Sequence, residues 1–272
     1  MENFESRYDE DECVARIEAR ASKYLTKASF ISRPRRSVLS PPSIPTKDFD
    51  AVVLSNSLVG YGDDISLDNM LIIENLIKFA KLEANAEVPD VSDAEGWYLA
   101  FLKCMEEAGC LVADAGYNAY DKSSLQLTMD NIVTDIILAG VNAAKAAIPA
   151  AGVLGAIADS TLSALKKEPE AITLFNREVV KARGGRLAVM PCNQLKNGAI
   201  ITSLWSIRAT TVSNDSGVLF FDWKSSGRGI FYGNAYITFN PQRYAGIRDK
   251  IESVVNGYFS AALSRRFARY KG

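Results

Sequence analysis

The sequence predicts an α+β fold in which a helical N-terminal two-thirds packs with a C-terminal four-stranded antiparallel meander and a long C-terminal helix. Apolar residues recur at helical spacing in most of the chain before Gly185. After that point, short apolar runs alternate with turn-forming segments. Because the helices come first and the strands follow, an alternating α/β fold is disfavoured. We expect an N-terminal helix and proline-rich linker over residues 1–47 and a single α+β domain over residues 48–272.

The helical part is predicted from apolar stripes and capping residues. A Ser or Thr before an apolar run, with Glu three residues later, marks a helix start. Ser66 and the pair Ser92 and Glu95 fit that pattern. Residues 30–47 hold four of the nine prolines and predict an irregular linker. The predicted elements are helices 9–26, 66–82, 92–109, 128–147, 151–165 and 168–182, a short apolar run at 51–54, and extended segments in 110–127.

The β-rich part is predicted from turn signals between apolar runs. Asn214-Asp215-Ser216-Gly217 and Ser226-Gly227-Arg228-Gly229 are typical hairpin turns. Pro241 suits the first turn of a helix. The predicted elements are strands 186–192, 199–212, 217–224 and 229–239 and a helix over 241–269. Aromatic side chains populate these strands and indicate a core face, or a binding surface if one face is open.

Composition excludes several classes of function. The chain has 272 residues, a net charge of −1 and no histidine. Without an imidazole, neither a Ser-His-Asp nor a Cys-His nucleophile can be built, and zinc or iron sites ligated by histidine are excluded. We therefore predict no metal site, no nucleic-acid partner and binding rather than catalysis. The acidic N-terminus lacks the apolar segment of a secretory signal peptide.

An apolar helical pair spans residues 136–158, where Lys145 is the only charged residue before Asp159. One interpretation is a helical hairpin buried in the core, since a helix that is apolar all round is usually a core helix. The other is a hairpin that leaves the core and inserts into a bilayer, whose span needs about 20 apolar residues. The residues expected to line a lipid tunnel or meet a membrane are Ile136, Ile137, Val141, Ile148, Val153, Leu154 and Ile157.

Cys192 ends the apolar strand that begins at Arg186. Pro191 cannot donate to a sheet ladder, so the strand is expected to end there or to lie at an edge. The thiol is then expected at a reachable strand-to-turn junction, where Lys196 could lower its pKa. The open alternatives are a buried, inert cysteine and a reactive or acylated thiol.

The arrangement of the last third of the chain resembles the Erwinia virulence factor (Evf) family. The resemblance is carried by Met190-Pro191-Cys192, by residues 217–223 and 229–233, and by Asn240-Pro241. It implies a bacterial protein that promotes persistence in an insect gut. It also implies a palmitoyl group in thioester linkage to Cys192, with the apolar helical pair lining a tunnel for the acyl chain. Synthesis in the bacterial cytoplasm, followed by release or membrane association, is expected.

A basic segment in the linker adds one further candidate site. Arg33-Pro34-Arg35-Arg36-Ser37 matches a dibasic processing pattern, and Arg36 with Ser37 would flank the cut. The alternative is an ordinary solvated linker.

Three hypotheses of function follow from these features. The first is a virulence or toxin-type protein that acts on or with lipid and is acylated on Cys192. The second is a pore-forming toxin, activated by cleavage near Arg36, in which residues 130–165 enter the bilayer. The third is an acyl transferase that uses Cys192 as its nucleophile. Lipid or a membrane is the expected partner, and a protein partner or self-association stays open.

Overall fold

A computed structural model describes residues 6–28, 51–90, 92–120, 136–144, 147–148, 150–181, 186–208, 230–258 and 264–267. Eight helices and seven strands lie within these ranges. The helices are α1 (Glu10–Ala28), α2 (Leu67–Glu87), α3 (Ala94–Glu107), α4 (Leu138–Ala144), α5 (Ala151–Lys166), α6 (Pro169–Lys181), α7 (Pro241–Tyr244) and α8 (Arg248–Tyr258). The strands are β1 (Ala51–Leu54), β2 (Ser57–Tyr61), β3 (Leu111–Tyr120), β4 (Arg186–Gln194), β5 (Ile200–Arg208), β6 (Ile230–Phe239) and β7 (Ser264–Phe267).

One mixed sheet contains all seven strands, in the order β3-β6-β5-β4-β2-β1-β7. β2 and β4 pair in parallel, and the other neighbouring strands pair antiparallel. The α+β class is therefore confirmed, although the sheet joins strands from both ends of the chain.

Side chains alternate along each strand, so both faces of the sheet carry apolar residues, and helices pack on both faces. The first face is the one that carries Val52, Met190 and Cys192, and it packs with α1, α2, α3 and α8. The second face carries Val53, Val189 and Trp205 and packs with α4, α5 and α6. Two separate hydrophobic clusters result, one on each side of the sheet.

The starts of α2 and α3 test the predicted helix caps. Ser66 caps α2, since its hydroxyl oxygen accepts a hydrogen bond from the Asn69 N–H at 3.3 Å. The predicted capping box at Ser92 is wrong, because α3 begins one residue later. Asp93 is the cap, and its carboxylate accepts from the Gly96 N–H at 2.8 Å.

The predicted four-stranded meander is wrong in its strand order. β5 pairs directly with β6, from Ile200 opposite Phe239 to Arg208 opposite Phe231. β5 and β6 are therefore direct neighbours, and the predicted strand 217–224 lies outside the described residues. β6 also pairs with β3, which the sequence indicated only as an extended segment.

The predicted long C-terminal helix is also wrong. A turn over residues 245–247 separates α7 from α8, and Ser264–Phe267 forms β7 instead of a last helical turn. β7 pairs antiparallel with β1 and so satisfies backbone groups along that strand.

α1 is attached to the first face through a buried ion-pair network. The Arg20 guanidinium donates to Glu83 of α2 at 2.6 Å and to Glu107 of α3 at 2.5 Å. All three residues are buried. The division of the chain at residue 47 stays a prediction, since residues 29–50 lie outside the described ranges.

Candidate functional site: an apolar cavity on the second face

The apolar helical pair folds as a hairpin of α4 and α5 that packs on the sheet. α5 lies against β2, β4 and β5. Gly140 of α4 is in such close contact with the Trp205 ring that a Cβ there would collide with it. Of the seven predicted lipid-contact residues, five are buried in the core, namely Ile136, Ile137, Val141, Leu154 and Ile157. Each helix in the described part of the chain is too short or too polar to cross a bilayer.

The other two predicted contact residues are accessible. Val153 is 47% exposed on the outer side of α5. Ile148 is half-buried in the turn between α4 and α5, where it contacts the second cluster. Only Ile148 of the seven lines a cavity described below.

Cys192 lies in the middle of the sheet and is fully buried, so the expectation of a reachable thiol is wrong. Its strand neighbours on the same face are Tyr61 of β2 and Thr202 of β5. The thiol donates a hydrogen bond to the Met190 carbonyl oxygen at 3.5 Å. Burial raises the pKa of Cys192 to about 12, so the thiolate is scarce at neutral pH.

The sheet separates Cys192 from the apolar helical pair. Cys192 belongs to the cluster of the first face, whereas the hairpin residues Val141 and Leu154 belong to that of the second. The expectation that the hairpin lines a tunnel leading to this sulfur is therefore not met within the described residues. The candidate processing residues Arg36 and Ser37 lie outside the described residues, as do the aromatic residues at 220, 221 and 223.

A cavity of about 430 Å³ opens at one end of the sheet, mainly on the second face and beside the helical hairpin, and its lining reaches Phe239 of the first cluster. Its floor is formed by neighbouring positions of three strands: Leu111 and Ala113 of β3, Tyr236 and Thr238 of β6, and Ile201 of β5. The α4–α5 turn contributes Ile148 and Ala150 to the lining, and Leu195 also lines the cavity. This volume lies in the range of small-molecule sites.

Polar side chains accompany these apolar walls. The Tyr236 hydroxyl is buried and has no hydrogen-bond partner among the described residues. The cavity lining also includes Asn197, Asn240 and Arg243. Asn197 and Asn240 also line a smaller polar cavity of about 250 Å³, which they share with Asn69 and Gln194. The lining of the site therefore combines apolar strand residues with polar side chains shared with the smaller cavity.

A buried lysine was not anticipated from the sequence. The Lys81 amine donates to the Ser57 hydroxyl at 2.9 Å, to Asn56 Oδ1 at 2.6 Å and to the Leu54 carbonyl at 3.2 Å. Burial lowers the pKa of Lys81 to about 7, against a smaller opposing effect of Glu178. A neutral lysine beside a serine can activate it. Here both side chains are buried, at 8% and 2% exposure, so we assign this pair to clamping the β1–β2 turn.

Most cavity residues were missed by the sequence analysis because they come from separated segments. Leu111, Ile201 and Tyr236 are brought together only by the pairing of β3, β5 and β6. The sequence feature that could have indicated this site is the aromatic content of residues 230–239, which are followed by an Asn-Pro helix start and Arg243. That signal indicated a binding surface but not which face of the sheet would carry it.

Comparison with known proteins gives a distant structural similarity. No protein-family model matches the chain, and no curated protein matches it. A solved structure titled "Structure of the Evf virulence factor" is similar over 79% of this chain and 84% of that one, at 9% identity and a TM-score of 0.27. It agrees with the resemblance predicted from the sequence only at this coarse level, and it carries nothing about binding or activity.

Proposed function

We propose that the protein binds a long acyl chain non-covalently in the cavity of the second face and acts with lipid rather than as an enzyme. The observation that carries this proposal is the apolar cavity of about 430 Å³, formed by three strands and the hairpin turn. A virulence role stays a prediction that awaits infection experiments.

The expected affinity follows from the burial of methylene groups. Each buried methylene contributes about 0.8 kcal/mol, so about twelve of them contribute ~10 kcal/mol. Association and chain ordering offset several kcal/mol of this. The remaining ~6 kcal/mol corresponds to dissociation constants on the order of 10–100 μM for long-chain fatty acids.

The cavity walls suit this ligand better than a compact polar one. Leu111, Ala113 and Ile201 present only hydrocarbon, and Ile148 covers them from the hairpin side. The alternation of β3, β5 and β6 places these side chains in one patch, so an extended chain can lie across neighbouring strands.

Covalent acylation of Cys192 stays a separate prediction. A chain attached to this sulfur would start on the first face and would have to displace side chains of that cluster. Intact-mass measurement on protein from its native host tests it. An adduct of palmitate size, removed by hydroxylamine and absent from Cys192→Ser, would support acylation.

Displacement of a fluorescent fatty-acid analogue by oleic acid tests the proposed function on the full-length chain. Ala113→Phe places a ring in the cavity, and we expect it to weaken oleic acid at least about tenfold, because the chain and the ring compete for one volume. The matched control is Ala119→Phe at an exposed position of the same strand, which should leave binding unchanged. No binding by the unmodified chain, or equal binding by both variants, would overturn the proposal.

Membrane insertion by residues 130–165 stays a prediction too. Dye release from anionic vesicles after cleavage in the linker tests it. The same residues give the hairpin its buried contacts with β2, β4 and β5, so insertion would require them to leave the sheet.

A further inference from the structure

The smaller polar cavity is lined mainly by carboxamide side chains. Its volume is about 250 Å³, and five of the seven residues around it are amides, namely Asn69, Gln194, Asn197, Asn240 and Gln242. The other two are Gly198 and Pro241, so none of the seven carries a charge. A complete small-molecule ligand usually occupies about 300–1,000 Å³, so this cavity suits one polar part of a larger ligand.

Three separate segments of the chain bring these amides together. Asn69 lies in the first turn of α2. Asn197 lies in the turn between β4 and β5, and Asn240 follows β6 and caps α7. Because Ile200 pairs with Phe239, the β4–β5 turn lies beside the end of β6.

Hydrogen bonds to the backbone fix the orientation of two of the amides. Asn197 Oδ1 accepts from the Ala199 N–H at 3.1 Å, and Asn240 Oδ1 accepts from the Gln242 N–H at 3.0 Å. A backbone N–H can only donate, so the oxygen of each amide must face it, and the Nδ2 group is left for another acceptor. Neither Nδ2 has a hydrogen-bond partner among the residues that the structure describes.

Asn69 supplies the complementary group. Its Nδ2 donates to Gln194 Oε1 at 3.2 Å, and Gln194 Nε2 donates to the Gly198 carbonyl at 3.5 Å. Asn69 Oδ1 remains as an acceptor, again without a partner in the described part of the chain. A hydroxyl both donates and accepts hydrogen bonds, so neighbouring hydroxyls match this set of donors and acceptors. A charged group would lose hydration here and gain no opposite charge from the lining.

The polar cavity adjoins the apolar one, because Asn197 and Asn240 line both. We propose that the polar cavity binds the uncharged headgroup of an acyl lipid, one that carries neighbouring hydroxyls as a glycerol ester does, while the acyl chain lies in the apolar cavity. This inference rests on the proposed function, because it names the headgroup of the lipid whose chain that function places in the apolar cavity.

1-Monolauroylglycerol and methyl laurate provide the test, since they share one acyl ester and differ in the glycerol part with its two free hydroxyls. Displacement of the same fluorescent analogue from the full-length chain measures both affinities. We expect monolauroylglycerol to bind about tenfold more tightly, the value of one or two net hydrogen bonds. Lauroyl lysophosphatidic acid, which adds a phosphate to the same glycerol, should bind more weakly than monolauroylglycerol. Equal affinities for the first two lipids, or tightest binding of the phosphate lipid, would overturn the inference.

A double variant, Asn197→Ser with Asn240→Ser, assigns the preference to its residues. Serine keeps an oxygen that can accept from the backbone N–H at both positions, so the turn and the cap are retained while the amide donors are removed. This variant should bind monolauroylglycerol no more tightly than methyl laurate. Asn118→Ser is the matched control, because Asn118 is exposed on β3 and lines neither cavity. A preference that survives the double variant, or that Asn118→Ser abolishes, would overturn the assignment.

The two proposals fail in distinguishable ways. If oleic acid binds and Ala113→Phe blocks it, but monolauroylglycerol gains nothing over methyl laurate, only the headgroup is wrong. If none of the acyl compounds binds, acyl-chain binding itself is wrong. Ala113→Phe should also weaken monolauroylglycerol about tenfold, since the ring competes with the acyl chain. Unchanged binding of monolauroylglycerol by that variant would show that headgroup and chain do not occupy the two cavities together, and would overturn the inference.

Discussion

The two faces of the sheet differ in how their interior is filled. The first face holds Cys192, the Arg20 ion-pair network and the larger hydrophobic cluster. The second face holds the α4–α5 hairpin and, beside it, the apolar cavity over β3, β5 and β6. The first face thus buries the Arg20 ion pairs and Cys192 in a packed interior, while the second face has a cavity that a ligand can enter.

This difference separates stability from binding. Changes on the first face should alter the free energy of unfolding and leave ligand affinity alone, whereas changes on the second face should alter ligand affinity. Sites more than about 10 Å apart with no shared partners usually behave additively. The four predictions below test that separation, from the largest expected effect to the smallest.

Arg20→Met should produce the largest loss of stability. It leaves the Glu83 and Glu107 carboxylates buried without the guanidinium that bonds to both. Removing one partner of a buried ion pair costs about 3–5 kcal/mol. Urea unfolding measures the loss. Arg16→Met is the matched control one turn earlier, where the side chain is 41% exposed and should contribute about 0–1 kcal/mol. Equal losses in the two variants would contradict the prediction.

Gly140→Ala should cost about 1–3 kcal/mol, because the new methyl group would collide with the Trp205 ring and force α4 away from β5. Trp205 packs edge-on against Tyr236, so oleic acid affinity should fall as well. Gly257→Ala in α8 is the control, since nothing lies within 4 Å of its added methyl group. Urea unfolding and the displacement assay give the two readouts. Unchanged affinity in Gly140→Ala would show that the hairpin does not help to shape the cavity.

The elements that the sequence predicted correctly depend on local signals. The helices at 10–28, 67–87, 94–107, 151–166 and 169–181 follow apolar periodicity, and Ser66 acts as the cap that its position indicates. β4, β5 and β6 lie where turn-bounded apolar runs predicted strands. The errors concern contacts between distant segments: β2 was not predicted, Ser264–Phe267 pairs with β1, and β5 pairs directly with β6.

The site could be predicted only in part for the same reason. Local sequence indicated an apolar hairpin and a cysteine near a strand end, and both are present. It could not show that they lie on opposite faces, because the register of β4 decides that Cys192 points away from Val189 and the hairpin. Nor could it bring Leu111 next to Tyr236, since more than a hundred residues separate them in the sequence.

Lys81 gives the first face a pH-dependent contribution to stability. Its pKa is lowered to about 7 in the folded state by burial, while the unfolded chain keeps the ordinary lysine value. Between these two values the unfolded state binds more protons, so stability should rise with pH, by about 2 kcal/mol from pH 7 to pH 9. Lys81→Met should remove this rise, as measured by urea unfolding at each pH. Lys78→Met, on the same helix and paired with Glu74 at 3.5 Å, should retain it. A rise of the same size in Lys81→Met would assign the effect to another group.

Cys192→Ala should have the smallest effect on stability, about 1 kcal/mol, because it removes one buried sulfur from the first cluster. Its effect on oleic acid affinity should be nil, since Cys192 does not line the cavity. Ala113→Phe on the second face should have the opposite result: it should weaken oleic acid binding and leave the fold intact. Urea unfolding and displacement of the fluorescent analogue, measured on both variants, compare the two faces. If Cys192→Ala abolished binding, ligand and sulfur would have to share one space, and acylation of Cys192 would become the better account of how this protein holds lipid.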